Sequence, residues 1–367
     1  VTTGGAGNIP TITMPAGIVV VTGTAGNDSF QGSALNDSIV AGAGNDTYFD
    51  GAGNDTFDGG TGADSFQFAN APAAAAVNLT TGVVTGGFGG TDILISVEDI
   101  EASAFNDSLT GSLGVEETFD GRAGNDVITG VGFDFVEYNQ SPAAVNVNLA
   151  AGTASDGFGG TDTLINLFGV FGSNFNDTLT GSGAREQFDG GAGNDLISGG
   201  PGSDEISFRS AATAVTINLN LATVADGQGG TDTFSDIEGV EGSRFNDSIL
   251  GNAGDGVFDG REGNDIIDGG GGIDEIEYNQ SPSGVSVNLA TGTASDGFGG
   301  TDTFTGIERI VGSRFNDVLI GGAANDTIRS ASGADSVTLG AGADQYFFTF
   351  ANSSVTASAG ITDLDTI

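Results

Sequence analysis

The stretch "AGAGNDTYFDGAGNDTFD", residues 41–58, contains Gly-Asn-Asp twice, nine residues apart. The same interval extends in both directions and gives the acidic series Asp28, Asp37, Asp46, Asp55 and Asp64. Two positions after each of these residues stands a large apolar side chain, in the series Phe30, Ile39, Tyr48, Phe57 and Phe66. A glycine-rich segment followed by an apolar-centred triplet predicts a tight turn and then a short strand whose middle residue points inward.

Two of these nonapeptide units make one coil, and strands of successive coils then pair in parallel, roughly 4.8 Å apart. A helix is excluded because glycine at this density is costly in a helix and a nonapeptide period is not a helical repeat. The predicted fold class is all-β, a right-handed parallel β-roll or β-helix solenoid.

A second, longer period organises the whole chain. The sequence "GGTD" recurs at equal intervals, at 89–92, 159–162, 229–232 and 299–302. We therefore expect a continuous solenoid over 23–346 in which nonapeptide blocks alternate with inserts that continue the solenoid. The predicted blocks are 23–67, 105–135, 175–205, 245–275 and 315–346, and the predicted inserts are 68–104, 136–174, 206–244 and 276–314. We expect 1–22 to be an N-terminal segment or cap, and 347–367 a C-terminal segment or the start of a further module.

The composition excludes several functional classes. The chain has 49 acidic and 8 basic residues, for a net charge of −41, so a nucleic-acid partner is excluded because phosphate would be repelled. It has no histidine and no cysteine, which removes imidazole bases and the usual zinc sites. No apolar run is long enough to span a membrane, so we expect no membrane insertion. A core is nevertheless available, because 38% of the residues are hydrophobic and 25 are phenylalanine.

The spacing also stacks the acidic turns, since each lies above the turn two repeats later. A bare column of carboxylates would repel itself, whereas Ca²⁺ between the turns would find the six to eight hard oxygen ligands that it prefers. Mg²⁺ requires a tighter octahedral site, and transition metals favour nitrogen or sulfur ligands. The sequence thus predicts multiple calcium ions, held in the turns of the solenoid.

The segments "DGAGNDTFDGGTGADSFQ" (50–67) and "GGAGNDLISGGPGSDEIS" (190–207) resemble the RTX (repeats-in-toxin, haemolysin-type) calcium-binding nonapeptide. This resemblance implies that the sixth residue of each repeat supplies a carboxylate ligand and that turn glycines supply backbone carbonyls. The implied carboxylate ligands are Asp28, Asp37, Asp46, Asp55, Asp64, Asp107, Asp126, Asp134, Asp177, Asp195, Asp204, Asp247, Asp265, Asp274, Asp317, Asp326, Asp335 and Asp344. The implied carbonyl ligands are Gly26, Gly44, Gly53, Gly193 and Gly263.

Some positions depart from the pattern or lie outside the nonapeptide blocks. Glu116, Glu186 and Gly256 stand at acidic positions of the repeat. In the inserts, one aspartate per module stands two residues before a leucine or phenylalanine, as in a nonapeptide. These residues are either further calcium ligands or turn caps: Asp92, Asp162, Asp232 and Asp302.

The leading functional hypothesis is a secreted, calcium-binding structural protein of a bacterial cell surface: a component of a surface layer, a filament or an adhesin shaft. We expect it to fold and self-assemble on binding Ca²⁺, with copies of itself as the main partner and cell-surface polysaccharide as a second candidate. The resemblance implies type I secretion and an extracellular location.

The alternative is the repeat and secretion region of a larger secreted toxin, protease or polysaccharide-modifying enzyme. Parallel β-helices also include enzymes that use carboxylates. We expect no enzymatic activity from this chain and predict no catalytic residue, because its acidic residues fall on repeat positions rather than in one unique cluster.

Overall fold

The computed structural model describes residues 12–13 and 20–347, and all regular secondary structure in that part of the chain is β-strand. The predicted terminal segments, 1–22 and 347–367, lie almost entirely outside the described residues. Within the described part, no helix has the length and apolar character needed to cross a membrane. The chain divides into two compact units, Val1–Ser182 and Gly183–Ile367.

The strands of the first unit are short, most of them a single triplet. They are β1 (Ile12–Thr13), β2 (Val20–Thr22), β3 (Ser29–Gln31), β4 (Ser38–Ala43), β5 (Thr47–Phe49), β6 (Thr56–Thr61), β7 (Ser65–Gln67), β8 (Ala75–Asn78), β9 (Val83–Gly86), β10 (Thr91–Ile95), β11 (Asp99–Glu101), β12 (Ser108–Thr110), β13 (Thr118–Asp120), β14 (Val127–Thr129), β15 (Phe135–Glu137), β16 (Asn146–Asn148), β17 (Thr153–Ser155), β18 (Thr161–Ile165), β19 (Gly169–Phe171) and β20 (Thr178–Thr180).

The second unit repeats the pattern. Its strands are β21 (Gln187–Asp189), β22 (Leu196–Ser198), β23 (Glu205–Ser207), β24 (Thr216–Asn218), β25 (Thr223–Ala225), β26 (Thr231–Ser235), β27 (Gly239–Glu241), β28 (Ser248–Leu250), β29 (Val257–Asp259), β30 (Ile266–Asp268), β31 (Glu275–Glu277), β32 (Ser286–Asn288), β33 (Thr293–Ser295), β34 (Thr301–Thr305), β35 (Arg309–Val311), β36 (Val318–Ile320), β37 (Thr327–Arg329), β38 (Ser336–Thr338) and β39 (Gln345–Phe347).

Within each unit the chain passes back and forth between two kinds of sheet. Sheet I of the first unit contains β3, β5, β7, β11, β13, β15 and β19, and sheet II contains β2, β4, β6 and the strands paired with them. In the nonapeptide blocks, successive strands of one sheet pair in parallel, as β3 with β5 and β4 with β6. Phe30 lies beside Tyr48 and Ile39 beside Phe57, which confirms that one coil consists of two nonapeptides.

The core lies between the two sheets and consists of the middle residue of nearly every strand. Phe66, Phe119 and Phe188 are fully buried in sheet I, and Leu109 and Ile128 are fully buried in sheet II. Tyr48 stacks on Phe57 with ring centroids 5.4 Å apart. Burial of each such side chain contributes roughly 1.5–3 kcal/mol of transfer free energy, so the apolar ladder that the sequence predicts is the main source of packing.

Each insert contributes strands to both sheets, as β11 of the first insert pairs with β7 in sheet I, but its sheet II part differs from that of a nonapeptide coil. In the first insert, β8, β9 and β10 form an antiparallel meander, and β8 then pairs in parallel with β12. The same arrangement recurs at β16–β18 and β32–β34. A short turn reverses the chain after β16, where Gly152 has a φ of 67° that favours glycine. Each insert therefore keeps the inward-facing apolar positions but reverses the direction of one strand.

The alternation of buried and exposed positions gives a matched test in one strand. Ile267 is 1% exposed and its neighbour Ile266 is 61% exposed, both in β30. We expect Ile267→Val to lower the free energy of unfolding in calcium by about 0.5–1.5 kcal/mol, because it removes a buried methylene. Ile266→Val should change it by less than about 0.5 kcal/mol. Urea unfolding of both variants checks this, and equal losses would contradict the assignment of the two faces.

Candidate metal centre

A column of buried carboxylates runs along each unit, at the turns that precede sheet II strands and, in the inserts, at the second residue of such a strand. Most of these carboxylates accept a hydrogen bond from a backbone N–H of the neighbouring coil. The N–H of Asp37 donates to Oδ1 of Asp55 (2.8 Å), and that of Asp55 donates to Oδ1 of Asp92 (2.8 Å). We call this set the first column. Its members are Asp37, Asp55, Asp92, Asp107, Asp126, Asp162 and Asp177 in the first unit, and Asp195, Asp232, Asp247, Asp265, Asp302, Asp317 and Asp335 in the second.

A second column lies at the turns that precede the sheet I strands. The N–H of Asp28 donates to Oδ1 of Asp46 (2.7 Å), and that of Asp46 donates to Oδ1 of Asp64 (2.8 Å). The aspartates of the second column are Asp28, Asp46, Asp64 and Asp134 in the first unit, and Asp204, Asp274, Asp326 and Asp344 in the second. All are buried except the half-buried Asp344. The structure thus places every aspartate that the sequence predicts as a ligand in one of the two columns.

The four insert aspartates belong to the first column, although they lie outside the nonapeptide blocks. The N–H of Asp126 donates to Oδ1 of Asp162 (3.0 Å), and that of Asp265 donates to Oδ1 of Asp302 (3.1 Å). The second oxygen of Asp162 accepts from the hydroxyl of Tyr138 at 3.1 Å. The hydrogen-bond pattern of the nonapeptide turns therefore extends into the inserts, while calcium ligation by these residues stays a prediction.

Glutamates complete the second column, although the nonapeptide pattern does not predict them there. Oε2 of Glu98 accepts from the N–H of Asp64 at 2.9 Å, and Glu238 and Glu308 occupy the equivalent positions. These residues lie 34 positions after their donors, so the nonapeptide spacing did not reveal them. The available signal was the recurrence of an apolar residue followed by glutamate, in step with the longer period.

One acidic assignment was wrong by a single residue. Glu117, rather than Glu116, is buried in the second column and accepts a hydrogen bond from the N–H of Ser112 at 2.7 Å, whereas Glu116 is exposed. The segment before it carries one extra residue, which the turn absorbs ahead of Glu117. A count from the preceding aspartate therefore falls one position short.

A third ladder explains the asparagine of the repeated "GND". The N–H of Asn54 donates to Oδ1 of Asn36 (3.0 Å), and the N–H of Thr91 donates to Oδ1 of Asn54 (2.9 Å). The ladder is exposed and lies outside the first column. It satisfies a turn N–H that would otherwise have no backbone partner. The asparagine thus connects coils, and the aspartate after it faces the interior.

Gly263 is one of the glycines expected to offer a carbonyl ligand, and the backbone of the neighbouring coil lies too close to it for any side chain. It has a φ of 142°, and a Cβ there would lie 2.5 Å from the carbonyl oxygen of Phe245. At Gly26, a Cβ would meet nothing within 4 Å. Gly44, Gly53 and Gly193 also have positive φ.

We expect Gly263→Ala to lower the free energy of unfolding by at least about 1 kcal/mol, because both the φ and the contact oppose a side chain. We expect Gly26→Ala to change it by less than about 1 kcal/mol. Urea unfolding in calcium measures both, and similar losses would show that turn glycines act only through local flexibility.

The two columns contain many buried oxygens that make no hydrogen bond. Carboxylates with such an oxygen include Asp28, Asp46, Asp64, Asp126, Asp134, Asp204, Asp265, Asp274 and Asp335. A buried charge without a partner costs several kcal/mol, so native structures pair it with a cation or a donor. These oxygens are hard anionic ligands, the type that Ca²⁺ prefers. The residues present therefore fit a calcium centre.

Electrostatics supports the same conclusion. Burial raises the pKa of Asp46 to about 6, and the charges of Asp64 and Asp28 raise it further, against a hydrogen bond from Asp28 that lowers it. Burial raises the pKa of Asp265 to about 8, with further contributions from Asp302 and other column neighbours. Without a cation, these groups repel one another and resist ionisation. A divalent ion would reverse both effects.

One group of three carboxylates is compact enough to converge on a single ion. Asp50, Asp55 and Asp92 are all buried, and one carboxylate oxygen from each lies within 4.8 Å of the others. The hydroxyl of Tyr48 donates to Oδ2 of Asp55 at 3.0 Å. Asp50 was not expected as a ligand because it stands at the first position of its repeat, where the pattern has glycine. Oδ1 of Asp50 has no hydrogen-bond partner.

The family model of the RTX calcium-binding nonapeptide repeat (four copies) matches the chain in seven stretches, some of them overlapping, which together span nearly half of it. The matched residues are 22–49, 31–66, 116–131, 171–206, 241–276, 302–337 and 311–346. The chain contains several copies of the RTX calcium-binding nonapeptide repeat. The RTX blocks supply most members of both carboxylate columns, and RTX nonapeptides are calcium-binding repeats.

Among solved structures, the chain is similar to an extracellular lipase, LipA, from Serratia marcescens, at 18% identity and a TM-score of 0.21. The match covers 60% of this chain and 38% of the lipase, so it spans well under half of that protein. No curated protein sequence matches the chain. At this score the lipase supports no conclusion about activity.

Proposed function

We propose that this protein is a secreted structural protein that binds several calcium ions and folds when it binds them. The observation that carries the proposal is the pair of buried carboxylate columns, in which oxygens of residues such as Asp64, Asp126 and Asp265 have no hydrogen-bond partner. Such columns are unstable alone and suited to hard divalent cations. RTX repeats also typify secreted proteins.

In this proposal the column aspartates provide carboxylate ligands and the turn glycines provide carbonyls. Calcium would supply positive charge that allows stacked carboxylates to approach one another. The backbone donors hold each carboxylate in place, as the N–H of Asp247 holds Oδ1 of Asp265 at 2.7 Å. The turns can therefore orient ligands only once successive coils are stacked, which couples binding to folding.

The net charge of −41 gives this coupling a role in export. At low intracellular calcium the chain would repel itself and stay open, which suits passage through a type I secretion channel. At roughly 10⁻⁴–10⁻³ M calcium, the range of extracellular calcium modules, binding free energy would become folding free energy. We therefore propose an extracellular location at a bacterial cell surface.

Equilibrium dialysis with Ca²⁺ and Mg²⁺ tests the calcium-binding part of this proposal. We expect several bound calcium ions per chain at millimolar Ca²⁺, undiminished by equimolar Mg²⁺, because Mg²⁺ demands octahedral geometry and keeps its water. Binding of no calcium, or displacement of calcium by magnesium, would rule the proposal out.

We further propose a role as a component of a surface layer, filament or adhesin shaft, without enzymatic activity. Its support is that residues 20–347 form repeat sheets throughout, and stacked coils offer strand edges that favour association. The proposed partners are copies of the same chain, with cell-surface polysaccharide as a second candidate.

Sedimentation velocity in millimolar calcium tests self-assembly. We expect species larger than a monomer that grow with protein concentration. A monomer at every concentration would remove the support for assembly while leaving calcium binding intact.

A further inference from the structure

The insert loop at 156–160 holds a carboxylate that lies outside both columns. Oδ1 of Asp156 accepts three hydrogen bonds from consecutive backbone N–H groups, those of Phe158 (2.9 Å), Gly159 (2.8 Å) and Gly160 (2.8 Å). Three backbone donors on one oxygen stabilise the carboxylate anion and fix its orientation. Asp296 makes the same three bonds in its own loop, at 2.9, 2.9 and 2.8 Å.

The second oxygen of each of these carboxylates has no partner. Asp156 and Asp296 are both 0% exposed, and Oδ2 of each makes no hydrogen bond. The orientation is fixed by the backbone, so neither side chain can turn its free oxygen to water. A buried, oriented anionic oxygen of this kind requires a cation.

The free oxygen of Asp156 faces a backbone carbonyl of the neighbouring coil. A Cβ at Gly160 would lie 2.6 Å from Oδ2 of Asp156 and 1.6 Å from the carbonyl oxygen of Gly124. Both oxygens therefore approach the same side of Gly160. At Gly300, the corresponding distances are 2.6 Å to Oδ2 of Asp296 and 1.6 Å to the carbonyl oxygen of Gly263.

First-column carboxylates surround this position and leave its charge uncompensated. Burial raises the pKa of Asp126 to about 8, and the charges of Asp162, Asp107 and Asp156 raise it further, while a hydrogen bond from Asp107 lowers it. Oδ2 of Asp126 also has no hydrogen-bond partner. In the second unit, Asp265 is subject to the charges of Asp302 and Asp296 in the same way.

We propose that Asp156 and Asp296 are calcium ligands contributed by the inserts, each acting with a turn carbonyl, of Gly124 or Gly263, and with the adjacent first-column aspartate. This inference rests on the proposed calcium binding and extends it. The inserts would then complete metal sites at the points where they join a nonapeptide block.

Two aspartates of the nonapeptide blocks offer a matched control. Asp58 precedes the second-column residue Asp64 by the same number of residues as Asp156 precedes Asp162. Asp268 precedes the second-column residue Asp274 by that number too. Asp58 is half-buried and Asp268 is exposed, so water can solvate both carboxylates without a cation.

The other two inserts provide internal comparisons. Gly86 replaces the aspartate in the first insert. In the third, Oδ2 of Asp226 accepts from the N–H of Gly230 at 3.0 Å, so it already has a donor. We therefore place a calcium ligand at this position in the second and fourth inserts, and a weaker calcium ligand, Asp226, in the third.

The test compares two double variants by equilibrium dialysis against Ca²⁺ alone. Asp156→Asn with Asp296→Asn keeps an oxygen for the three backbone donors but removes the charge. Asp58→Asn with Asp268→Asn removes the same charge outside the proposed sites. We expect the first variant to bind two ions fewer than wild type, or those two at least tenfold more weakly, and the control to match wild type.

Unchanged number and affinity in the first variant would overturn the inference, as would an equal loss in the control. Wild-type protein that binds no calcium would instead overturn the proposed function itself. If the first variant does not fold, the single variants Asp156→Asn and Asp296→Asn are measured in its place. Each is expected to bind one ion fewer than wild type, and Asp226→Asn is expected to have a smaller effect.

Discussion

Asp265→Asn is expected to destabilise the calcium-loaded protein and to stabilise the calcium-free protein. Asp265 is 1% exposed, and its Oδ1 accepts from the N–H of Asp247, a bond that asparagine can keep. Its Oδ2 has no hydrogen-bond partner and stands among other acidic groups. With calcium, the substitution removes a ligand. Without calcium, it removes a buried repulsive charge, so each change should amount to about 1–3 kcal/mol, with opposite signs.

Urea unfolding measures both changes, first in saturating calcium and then in chelator with trimethylamine N-oxide added to favour the folded state. The matched control is Asp268→Asn in the same segment, whose side chain is exposed. The control should change stability by less than about 0.5 kcal/mol in either condition. A change of the same sign in both conditions for Asp265→Asn would show that this carboxylate does not serve a cation.

Calcium-free protein is expected to gain stability as the pH falls from 8 to 4. Burial, the largest cause, raises the pKa of Asp50, Asp126 and Asp265 in the folded state to about 8 each, against an ordinary value of 3.8. The folded state thus binds more protons than the unfolded state within this window. The contribution of these protonated carboxyl groups to the free energy of unfolding is fully present below their unfolded-state pKa. It is lost as the pH rises through their folded-state pKa, and it amounts in total to on the order of several kcal/mol.

Far-UV circular dichroism in chelator across this pH range measures the effect. With saturating calcium the dependence should reverse, because protons compete with the ion for the same carboxylates. β-structure that increases with rising pH in the absence of calcium would contradict the buried, unpaired state of these groups.

The nonapeptide half of the structure follows from the sequence because two independent constraints agree. Glycine and Asn-Asp define the turn, and an apolar residue two positions later defines the inward face. Together they fix the register, and Phe30 lies beside Tyr48 as predicted. Two columns of aspartates follow directly, since a turn that recurs at the same place in every coil must stack its side chains.

The remaining features depend on contacts between coils that the nonapeptide period does not encode. The antiparallel strand β17 follows from a short turn at Gly152, and the prediction of a continuous solenoid gave no indication that a strand would reverse there. Glu98 belongs to the second column although its side chain is one methylene longer than that of aspartate, and it lies 34 residues after its donor, Asp64. Asp156 and Asp50 lie outside the sixth position of the repeat, so only the stacked backbone reveals that they are buried.

The central claim is that calcium in the carboxylate columns drives folding, and a calcium titration followed by far-UV circular dichroism tests it most directly. A parallel magnesium titration and reversal with EGTA complete the measurement. We predict a cooperative gain of β-signal with calcium, none with magnesium at the same concentration, and full loss of the signal in EGTA. A chain that is already folded in EGTA and does not respond to calcium would contradict the claim and reduce the aspartates to turn residues.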